Sequence, residues 1–463
     1  MRTQFQSRQS TKWQWGVILL AVVSAGVAGI SNLLNISSFA PLIVFGFLIA
    51  ITAFLIWIKK PVFALYATLF CVFLPIGIIP TIFNSYLNRI MTLVSLGVWL
   101  IYELKQRRTV VLSSTIILMG VFLIWSFASL SWADKLSPAA VELQTYTLRL
   151  ILFLFLITNE IRTKKNLNGL MNIMVLCGWT LILAGVGTIL TGGYTPGTRL
   201  KILGMNENSV GILTLLTLPC VLWQTVQPSK HFRALKKWLG VIFLISTIVL
   251  AALSGSRGSA ISLVVTLAAF LFLKPTRQWG KLGLIILVIG VIATPFIFSI
   301  TLQRFTDDAA GYTVLGGREA LWEAAWNLIR VHPWFGVGIG NAPFSIKPYL
   351  VLLKSIGSRE SVSIHNPLLT VWAETGIPGI VFFLSFLVSA VWSFLRQYLL
   401  HRKLGKTDLD LYFALMGSLF VGFMASWIKG GGMETSFAYF LMLAYLIIPA
   451  SLEITPLENG RVE

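Results

Sequence analysis

The chain contains few charged residues, and acidic residues are especially scarce. Only 11% of its 463 residues are charged, 17 of them Asp or Glu against 36 Lys or Arg, whereas 56% are hydrophobic. A chain with so little polar surface cannot cover a soluble globule. The mean hydropathy of +0.82 points the same way, so composition predicts a polytopic membrane protein.

Cysteine is also scarce. Cys71, Cys177 and Cys220 lie in apolar segments without CxxC spacing, which argues against a disulfide framework or a thiolate metal site. The sequence has no GxxxxGK[ST] loop for a nucleotide and no internal repeat. The adjacent Asp307 and Asp308 are a weak metal signal. No metal and no cofactor are therefore predicted, and any energy for a reaction must arrive with the substrate.

Long apolar runs occupy most of the chain. A helix needs about 20 apolar residues to cross a bilayer. Cutting the chain at charged or Gly/Pro-rich interruptions predicts about fourteen spans, or about twelve if short ones merge or re-enter. They are 15–30, 40–58, 61–79, 88–104, 112–130, 146–160, 168–190, 209–226, 238–253, 258–273, 281–300, 367–395, 411–428 and 435–450. The expected fold is an all-α polytopic membrane protein with one long outer loop that contains short amphipathic helices.

Lysine and arginine recur in every second loop, which places those loops and both termini in the cytoplasm. The long loop then lies on the periplasmic side. The net charge of +19 is explained by anionic lipid at the cytoplasmic rim, so nucleic-acid binding is not predicted. The first helix is expected to be retained rather than cleaved. The predicted regions are N-terminal transmembrane helices (1–190), transmembrane helices with outer arginine loops (191–300), a periplasmic loop (301–366), and C-terminal transmembrane helices with a short cytoplasmic tail (367–463).

Two outer turns carry arginine. TPGTRLKILGMNENSVG (195–211) places Arg199 near Asn208, and a guanidinium there could hold a phosphate through its planar fork of donors. The alternative is an interfacial residue that snorkels. LSGSRGSA (253–260) has Arg257 among small residues that allow close backbone approach. Its alternative is a simple outer hairpin turn with one interfacial charge.

The long loop contains a predicted amphipathic helix. Gly316-Gly317 should break the chain, and Arg318 should begin a helix with Trp322, Trp326 and Ile329 on one face, suited to the lipid surface. The tryptophans alone are more often packing residues than binding residues. The following Gly-rich segment, HPWFGVGIGNAPF, is expected to shape a cavity rather than to react.

A histidine stands where the long loop re-enters the membrane. His365 is followed by Asn366 and a proline that fix the chain, and Glu374 lies nine residues later. A histidine placed there can act as a general base on an incoming hydroxyl near neutral pH. A lone histidine more often has a structural role, but the three arginines in the other outer segments favour a catalytic role for His365.

Taken in this order, these motifs resemble the O-antigen ligase and O-antigen polymerase superfamily of bacterial envelopes. The likeness rests on Arg199 with its Asn run, SGSRGS, GGREALWEAAWNLIRVHPWFGVGIGN and HNPLLTVWAETGIPG. It covers roughly residues 190–390, whereas the earlier spans are similar only in hydropathy.

The resemblance implies a metal-independent glycosyltransferase of the bacterial inner membrane. Its donor would be a glycan on undecaprenyl diphosphate, and its acceptor a sugar hydroxyl on lipid A-core or on another lipid-linked glycan. Arg199 and Arg318 would hold the diphosphate, with Arg257 as a further arginine of the SRG type. His365 would assist the acceptor. The residues expected to support them are Asn208, Asn366, Glu374 and Trp322.

The predicted number of spans and the modest length of the loop differ from those of a typical ligase, so the sequence does not distinguish a ligase from a polymerase. It also does not identify the sugar, the acceptor or the oligomeric state. Proteins of the same superfamily have also been labelled bicarbonate transporters. A transporter should show an inverted repeat or ionisable residues near the middle of its spans. The clearest charge inside a predicted span is Arg149, near that span's predicted outer end, so a transferase is favoured over a transporter or a non-catalytic glycan binder.

Overall fold

The computed structural model describes residues 51–73, 81–107, 109–202, 205–227, 232–293, 318–350, 361–427 and 436–452. Within these ranges the regular elements are all helices, which confirms the predicted all-α membrane class. The predicted span 15–30 and the first part of 40–58 lie outside the described residues, as does Asp307-Asp308.

The α-helices are numbered here in chain order. They are α1 Val62–Phe73, α2 Thr81–Gln106, α3 Ser114–Ala128, α4 Leu136–Arg149, α5 Ile157–Glu160, α6 Lys164–Leu190, α7 Glu207–Val226, α8 Arg233–Leu253, α9 Arg257–Phe272, α10 Arg277–Ala293, α11 Arg318–Val331, α12 Ala342–Ser345, α13 Pro367–Lys403, α14 Asp410–Trp427 and α15 Phe437–Ser451. A 3₁₀ turn, Ser129–Trp132, follows α3, and π-helical turns, Leu150–Leu156, join α4 to α5.

In the part of the chain that the structure describes, 8 helical segments are long and apolar enough to cross a membrane. They are Tyr86–Gln106, Ser114–Trp132, Leu136–Glu160, Lys164–Leu190, Glu207–Val226, Arg233–Leu253, Pro367–Lys403 and Asp410–Trp427. The apolar helices α1, α9 and α15 are shorter. The total lies below the predicted number of spans, partly because α9 and α15 are too short to qualify and partly because several predicted spans extend beyond the described residues.

The chain divides into two compact units. One comprises residues 1–64 and 97–107, and the other comprises residues 65–96 and 108–463. The described part of the first unit is helical apart from the residues around Lys60 and Arg107. All the features discussed below belong to the second unit.

The core of the second unit is built around α7, of which 78% of the apolar window is buried. Helices α9 and α14 pack closely through small residues. A Cβ added at Gly422 would lie 2.5 Å from the Ser262 carbonyl oxygen. The hydroxyls of Ser262 and Ser426 are hydrogen-bonded at 2.6 Å. Small residues allow helix backbones to approach in this way, and the packing fixes the first turn of α9 beside the last turn of α14.

Helix α13 is broken near its start. Gly376 has φ 66° and ψ −166°, so α13 consists of a short helix that ends before Gly376 and a long one that follows it. This backbone region is accessible essentially only to glycine. The Trp334 carbonyl occupies the position where a Cβ on Gly376 would stand. The break therefore lets another backbone segment enter the helix at this point.

The structure corrects the position of Arg149. The predicted span 146–160 put Arg149 near an outer end, but the helical segment runs from Leu136 to Glu160, which places Arg149 in its middle. It is the last residue before the π-helical turns, and its guanidinium lies 5.9 Å from the Phe153 ring and 6.0 Å from the Phe437 ring. The two aromatic faces attract the cation.

Candidate functional site

Arg199 is fixed at the start of α7. Its Nε donates to the Ser254 carbonyl at 2.9 Å, and its Nη2 donates to Oδ1 of Asn208 at 2.6 Å. Its Nη1 lies 3.6 Å from the Glu207 carboxylate. Burial lowers the pKa of Arg199, while Glu207 acts in the opposite direction. Asn208 therefore orients the arginine, and a phosphate bound at Arg199 would share the guanidinium with a carboxylate.

The turn between α8 and α9 is largely buried. Ser254, Ser256 and Ser259 are at most 4% exposed. Gly255 has a φ of 57°, and the Ser256 hydroxyl caps α9 by accepting the Ser259 N–H at 3.3 Å. Arg257 is the first residue of α9, so its backbone is held on both sides.

The two arginine-bearing segments are joined by hydrogen bonds. The Leu200 N–H donates to the Leu253 carbonyl at 2.9 Å, directly beside Arg199. The Ser259 hydroxyl donates to the carbonyl of Asn208 at 3.3 Å. The start of α7, the end of α8 and the start of α9 therefore form one surface that carries two of the predicted arginines.

Arg257, Arg318 and His365 form a second group of close cationic side chains. Burial lowers the pKa of Arg318, and the charge of Arg257 lowers it further. Burial likewise lowers the pKa of His365, with the charge of Arg318 as the second cause. Each of these groups is thus near enough to the next to feel its charge. An anion bound among them would relieve this repulsion. Because its pKa is lowered, the imidazole of His365 stays neutral, and can accept a proton, at a lower pH than that of an ordinary histidine.

The backbone of His365 is in the left-handed region, with φ 57°. A residue other than glycine in this region is uncommon and costs about 1–3 kcal/mol unless its surroundings compensate. Asn366, which follows, caps α13 by accepting the N–H groups of Leu368 and Leu369 at 3.0 and 3.2 Å. Asn366 therefore fixes the chain next to His365.

The Gly-rich turn after α11 is docked in the break of α13. The N–H groups of Val337 and Gly338 donate to the carbonyls of Ala373 and Glu374, both at 2.9 Å. Gly336, with φ 67°, has the Glu374 carbonyl where a Cβ would stand. The Glu374 side chain is 3% exposed. These contacts hold Arg318, at the start of α11, and His365, just before α13, in a fixed relation.

A segment outside the predicted motifs anchors the same turn. This anchor segment, residues 125–139, comprises the end of α3, the 3₁₀ turn and the start of α4. Asn341 is fully buried, and its Oδ1 accepts the Lys135 N–H at 2.8 Å while its Nδ2 donates to the Lys135 carbonyl at 3.2 Å. The Ile339 N–H donates to the Ser129 hydroxyl at 3.0 Å. The turn is therefore held from two sides.

Tryptophans of the anchor segment reach both parts of the docked structure. The Trp125 indole donates to the Thr375 carbonyl at 2.8 Å, at the edge of the helix break. The Trp132 indole donates to the Phe335 carbonyl at 3.1 Å. The rings of Trp125, Trp132 and Phe335 lie 5.5 to 6.1 Å apart. A run of polar residues between two apolar segments predicts a loop. It does not predict which segment, some 200 residues away in the chain, contacts that loop.

Helix α11 lies where a helix was predicted, with Arg318 as its first described residue, but its buried face differs from the prediction. Its buried side chains are Leu321, Ala324, Ala325, Leu328 and Ile329. They pack on residues from the Gly-rich turn, α12, the segment before His365 and α13. The helix is therefore seated on protein through a leucine and alanine face, and not on lipid through a tryptophan face.

The tryptophans of α11 lie at the margin of this packing. Trp326 is 38% exposed and meets Trp372 of α13 edge to face, with ring centroids 5.4 Å apart. Trp322 is partly buried against the same cluster, and its indole N–H has no hydrogen-bond partner among the described residues. The structure thus gives Trp322 a packing contact and leaves its predicted supporting role untested.

No group of three or more His, Cys, Asp or Glu residues suited to a metal ion occurs in the described ranges. The arginine cluster offers donors to an anion and not ligands to a cation. The absence of a metal requirement remains a prediction.

Residues 241–384 match the O-antigen ligase family. The match supports membership of the O-antigen ligase superfamily for this segment. It contains Arg257, Arg318, His365 and Glu374, so the clustered cations of the site fall within the ligase domain. Residues 39–230 match a family of unknown function. That second match includes Arg199 and the whole anchor segment, so the ligase domain is docked on residues of a different family segment.

A curated relative gives a weaker likeness. The chain is 28% identical over 192 residues to an uncharacterized protein of Haemophilus influenzae, a match that covers 37% of this chain and 48% of that protein. The chain thus spans about half the length of this relative. The relative's printed description assigns no activity.

Proposed function

We propose that the protein is a glycosyltransferase of the O-antigen ligase type. It moves a glycan from undecaprenyl diphosphate to a sugar hydroxyl at the periplasmic face of the bacterial inner membrane. The observation that carries the proposal is the run of neighbouring cations from Arg257 through Arg318 to His365, inside the segment that matches the ligase family. A diphosphate leaving group and a hydroxyl acceptor are the partners that this arrangement fits.

Arg318 and Arg257 bind the diphosphate in this proposal, with Arg199 at the edge of the site. Breaking the bond between the anomeric carbon and the phosphate oxygen leaves negative charge on undecaprenyl diphosphate. Fixed guanidinium groups in a partly buried site stabilise that charge without reorganisation. Arg199 is already paired with Glu207, so it contributes less net charge than Arg318 and Arg257 and serves more to position the donor.

His365 is the general base in this proposal. The acceptor oxygen attacks the anomeric carbon as the sugar–phosphate bond breaks, and its proton passes to the imidazole. Direct displacement inverts the anomeric configuration. The lowered pKa of His365 supports this role because the imidazole is neutral at neutral pH. The diphosphate linkage supplies the driving force, so no nucleotide is needed.

The proposal is tested by transfer in vitro with purified protein in lipid, an undecaprenyl-diphosphate glycan and candidate acceptors, read by gel or mass spectrometry. Arg318→Ala and His365→Ala should abolish product formation. The matched controls are Arg330→Ala, on the exposed face of α11, and His332→Ala, in the following exposed turn. Activity in either site variant, or its loss in either control, would contradict the assignment.

The acceptor used in that assay separates the two members of the superfamily. Growth of lipid A-core would identify a ligase, and growth of a lipid-linked glycan would identify a polymerase. Both reactions use the same displacement, so the arginines and His365 have the same roles in each. Addition of EDTA should leave the rate unchanged, and recovery on adding Mg²⁺ after a loss would overturn the metal-independent mechanism.

An anion transporter is the second candidate, favoured by the position of Arg149 in the middle of the segment Leu136–Glu160. Ionisable residues at that depth mark ion pathways in membrane proteins. Uptake of bicarbonate into vesicles that contain the protein, lost in Arg149→Gln, would support transport. Transfer activity without uptake would exclude it.

A further inference from the structure

A cavity of about 710 Å³ lies at the end of the helix bundle opposite the candidate site. The end of α9, the last turns of α13 and the first half of α14 border it. Its walls are apolar and include the buried rings of Phe394 and Phe413, whose centroids are 5.3 Å apart, with Ala414 and Leu446. Phe272 and Val421, at 81% and 51% exposure, mark where the cavity opens to the surroundings of the bundle.

Basic side chains line the same cavity. Lys274, Arg402 and Lys406 belong to its lining, against a single acidic lining residue, Asp410. Arg402 is oriented by Tyr398, to whose hydroxyl its Nη1 donates at 3.4 Å. Lys406 follows the left-handed Gly405, and its N–H donates to a carbonyl of the last turn of α13 at 3.0 Å. Its position is therefore set by the end of that helix.

An apolar space lined by cations at one end fits an amphiphile with an anionic head. The helix end at which the cavity lies is the one that the distribution of lysine and arginine places in the cytoplasm. Basic pockets between transmembrane helices on that side bind anionic lipid head groups. Lipid that is attracted to basic loops in general needs no apolar cavity beside the charges. A single lipid molecule bound at a fixed site needs such a cavity for its acyl chain.

We infer that this cavity binds one anionic glycerophospholipid, with an acyl chain against Phe394 and Phe413 and the phosphate held by Arg402, Lys406 and Lys274. The site is separate from the candidate catalytic site and does not depend on its function. Gly417 lies on the cavity wall, and a Cβ there would meet the Phe394 ring at an ordinary 3.5 Å. Alanine therefore fits at Gly417, whereas a leucine would extend into the space for the chain.

Native mass spectrometry of the full chain, titrated with phosphatidylglycerol or phosphatidylcholine of the same acyl chains, tests this. The wild type should retain one phosphatidylglycerol more tightly than phosphatidylcholine. The double variant Arg402→Gln/Lys406→Gln should weaken phosphatidylglycerol binding by roughly ten- to thirtyfold, since each charge near the lipid surface contributes about fivefold. The control Arg396→Gln/Lys281→Gln removes two exposed cations from the same end that do not line the cavity, and it should retain wild-type binding.

The steric variant separates a seated lipid from a surface charge. Gly417→Leu should displace either lipid, and Gly417→Ala should not, with thermal unfolding used to confirm that both fold. Equal binding of the two lipids by the wild type would overturn the inference, as would equal losses in the two double variants. Competition by inorganic phosphate as effective as that by phosphatidylglycerol would also overturn it, since the apolar cavity would then be irrelevant. The charge variants alone decide the outcome if Gly417→Leu fails to fold.

Discussion

Replacement of Gly376 by alanine should separate the two halves of the candidate site. Gly376 has φ 66° and ψ −166°, a combination that alanine does not adopt without strain. The Trp334 carbonyl fills the place of the added Cβ. This neighbour is backbone, held by the docked Gly-rich turn, so it cannot move aside as a flexible side chain could. The break in α13 must therefore change shape or the turn must leave.

The size of the effect follows from the contacts that cross the break. The backbone strain costs about 1–3 kcal/mol. Two hydrogen bonds next to Gly376 would be lost or distorted, from the Ile377 N–H to the Pro333 carbonyl at 3.0 Å and from the Trp125 indole to the Thr375 carbonyl at 2.8 Å. At about 1 kcal/mol each, they bring the total to about 3–5 kcal/mol.

The assay combines thermal unfolding in detergent with the transfer reaction. A suitable control is Gly192→Ala, because Gly192 has a similar φ of 75° but nothing within 4 Å of the Cβ position. The free energy of unfolding of the control should fall by only about 1–2 kcal/mol, which is the cost of the left-handed conformation for alanine. Gly376→Ala should show the larger loss of stability and should also lose transfer, because the short helix that follows His365 would no longer be held against α11.

Two results would refute this reasoning. If Gly376→Ala were as stable as Gly192→Ala, the close backbone contact at the break would be wrong. If Gly376→Ala were destabilised but transferred glycan at the wild-type rate at a temperature where it is folded, the docked turn would stabilise the protein without positioning the site.

Three other predictions follow from the same geometry. Activity should fall only as the pH drops below 6.5, because the base His365 must be neutral and its pKa is lowered by burial and by Arg318. A loss whose midpoint lies above pH 6.5 would contradict this. Arg318→Lys should lower the transfer rate about tenfold or more, since an ammonium cannot form the bidentate contact of a guanidinium, and Arg330→Lys should transfer at the wild-type rate. Asn341→Leu should destabilise the protein by about 2–4 kcal/mol in thermal unfolding, because the buried amide of Asn341 makes three hydrogen bonds that leucine cannot make, to the N–H and carbonyl of Lys135 and to the Ile339 carbonyl. A change below about 1 kcal/mol would mean that water replaces the amide.

The docking of the Gly-rich turn on the anchor segment gives the loop that carries the candidate site a rigid support. Loops that carry reacting groups need rigid support, since small displacements of those groups are costly to the rate. Here the support consists of buried hydrogen bonds to Ser129 and Lys135 and of three packed aromatic rings. These residues lie in the segment that matches a family of unknown function. Part of that segment's role is therefore to seat the ligase domain.

The sequence by itself determined the membrane class, the order of the motifs and the presence of a helix in the segment that includes Arg318. These features depend on composition, on hydropathy over about 20 residues and on the spacing of apolar residues, all of which are local properties. The neighbourhood of Arg257, Arg318 and His365 was expected from the resemblance, and the structure brings these three residues together.

Only the tertiary structure decided which face of α11 is buried, where Arg149 falls along its helical segment and what holds the Gly-rich turn. A helix with both tryptophan and alanine–leucine stripes has two candidate faces, and the choice depends on the shape of the surface that receives it. The contacts of Gly376 with Trp334, and of Asn341 with Lys135, join residues far apart in the chain. Such pairings arise from close packing of backbones, and a local pattern of residue types carries no information about which distant segment will fill the space beside a glycine.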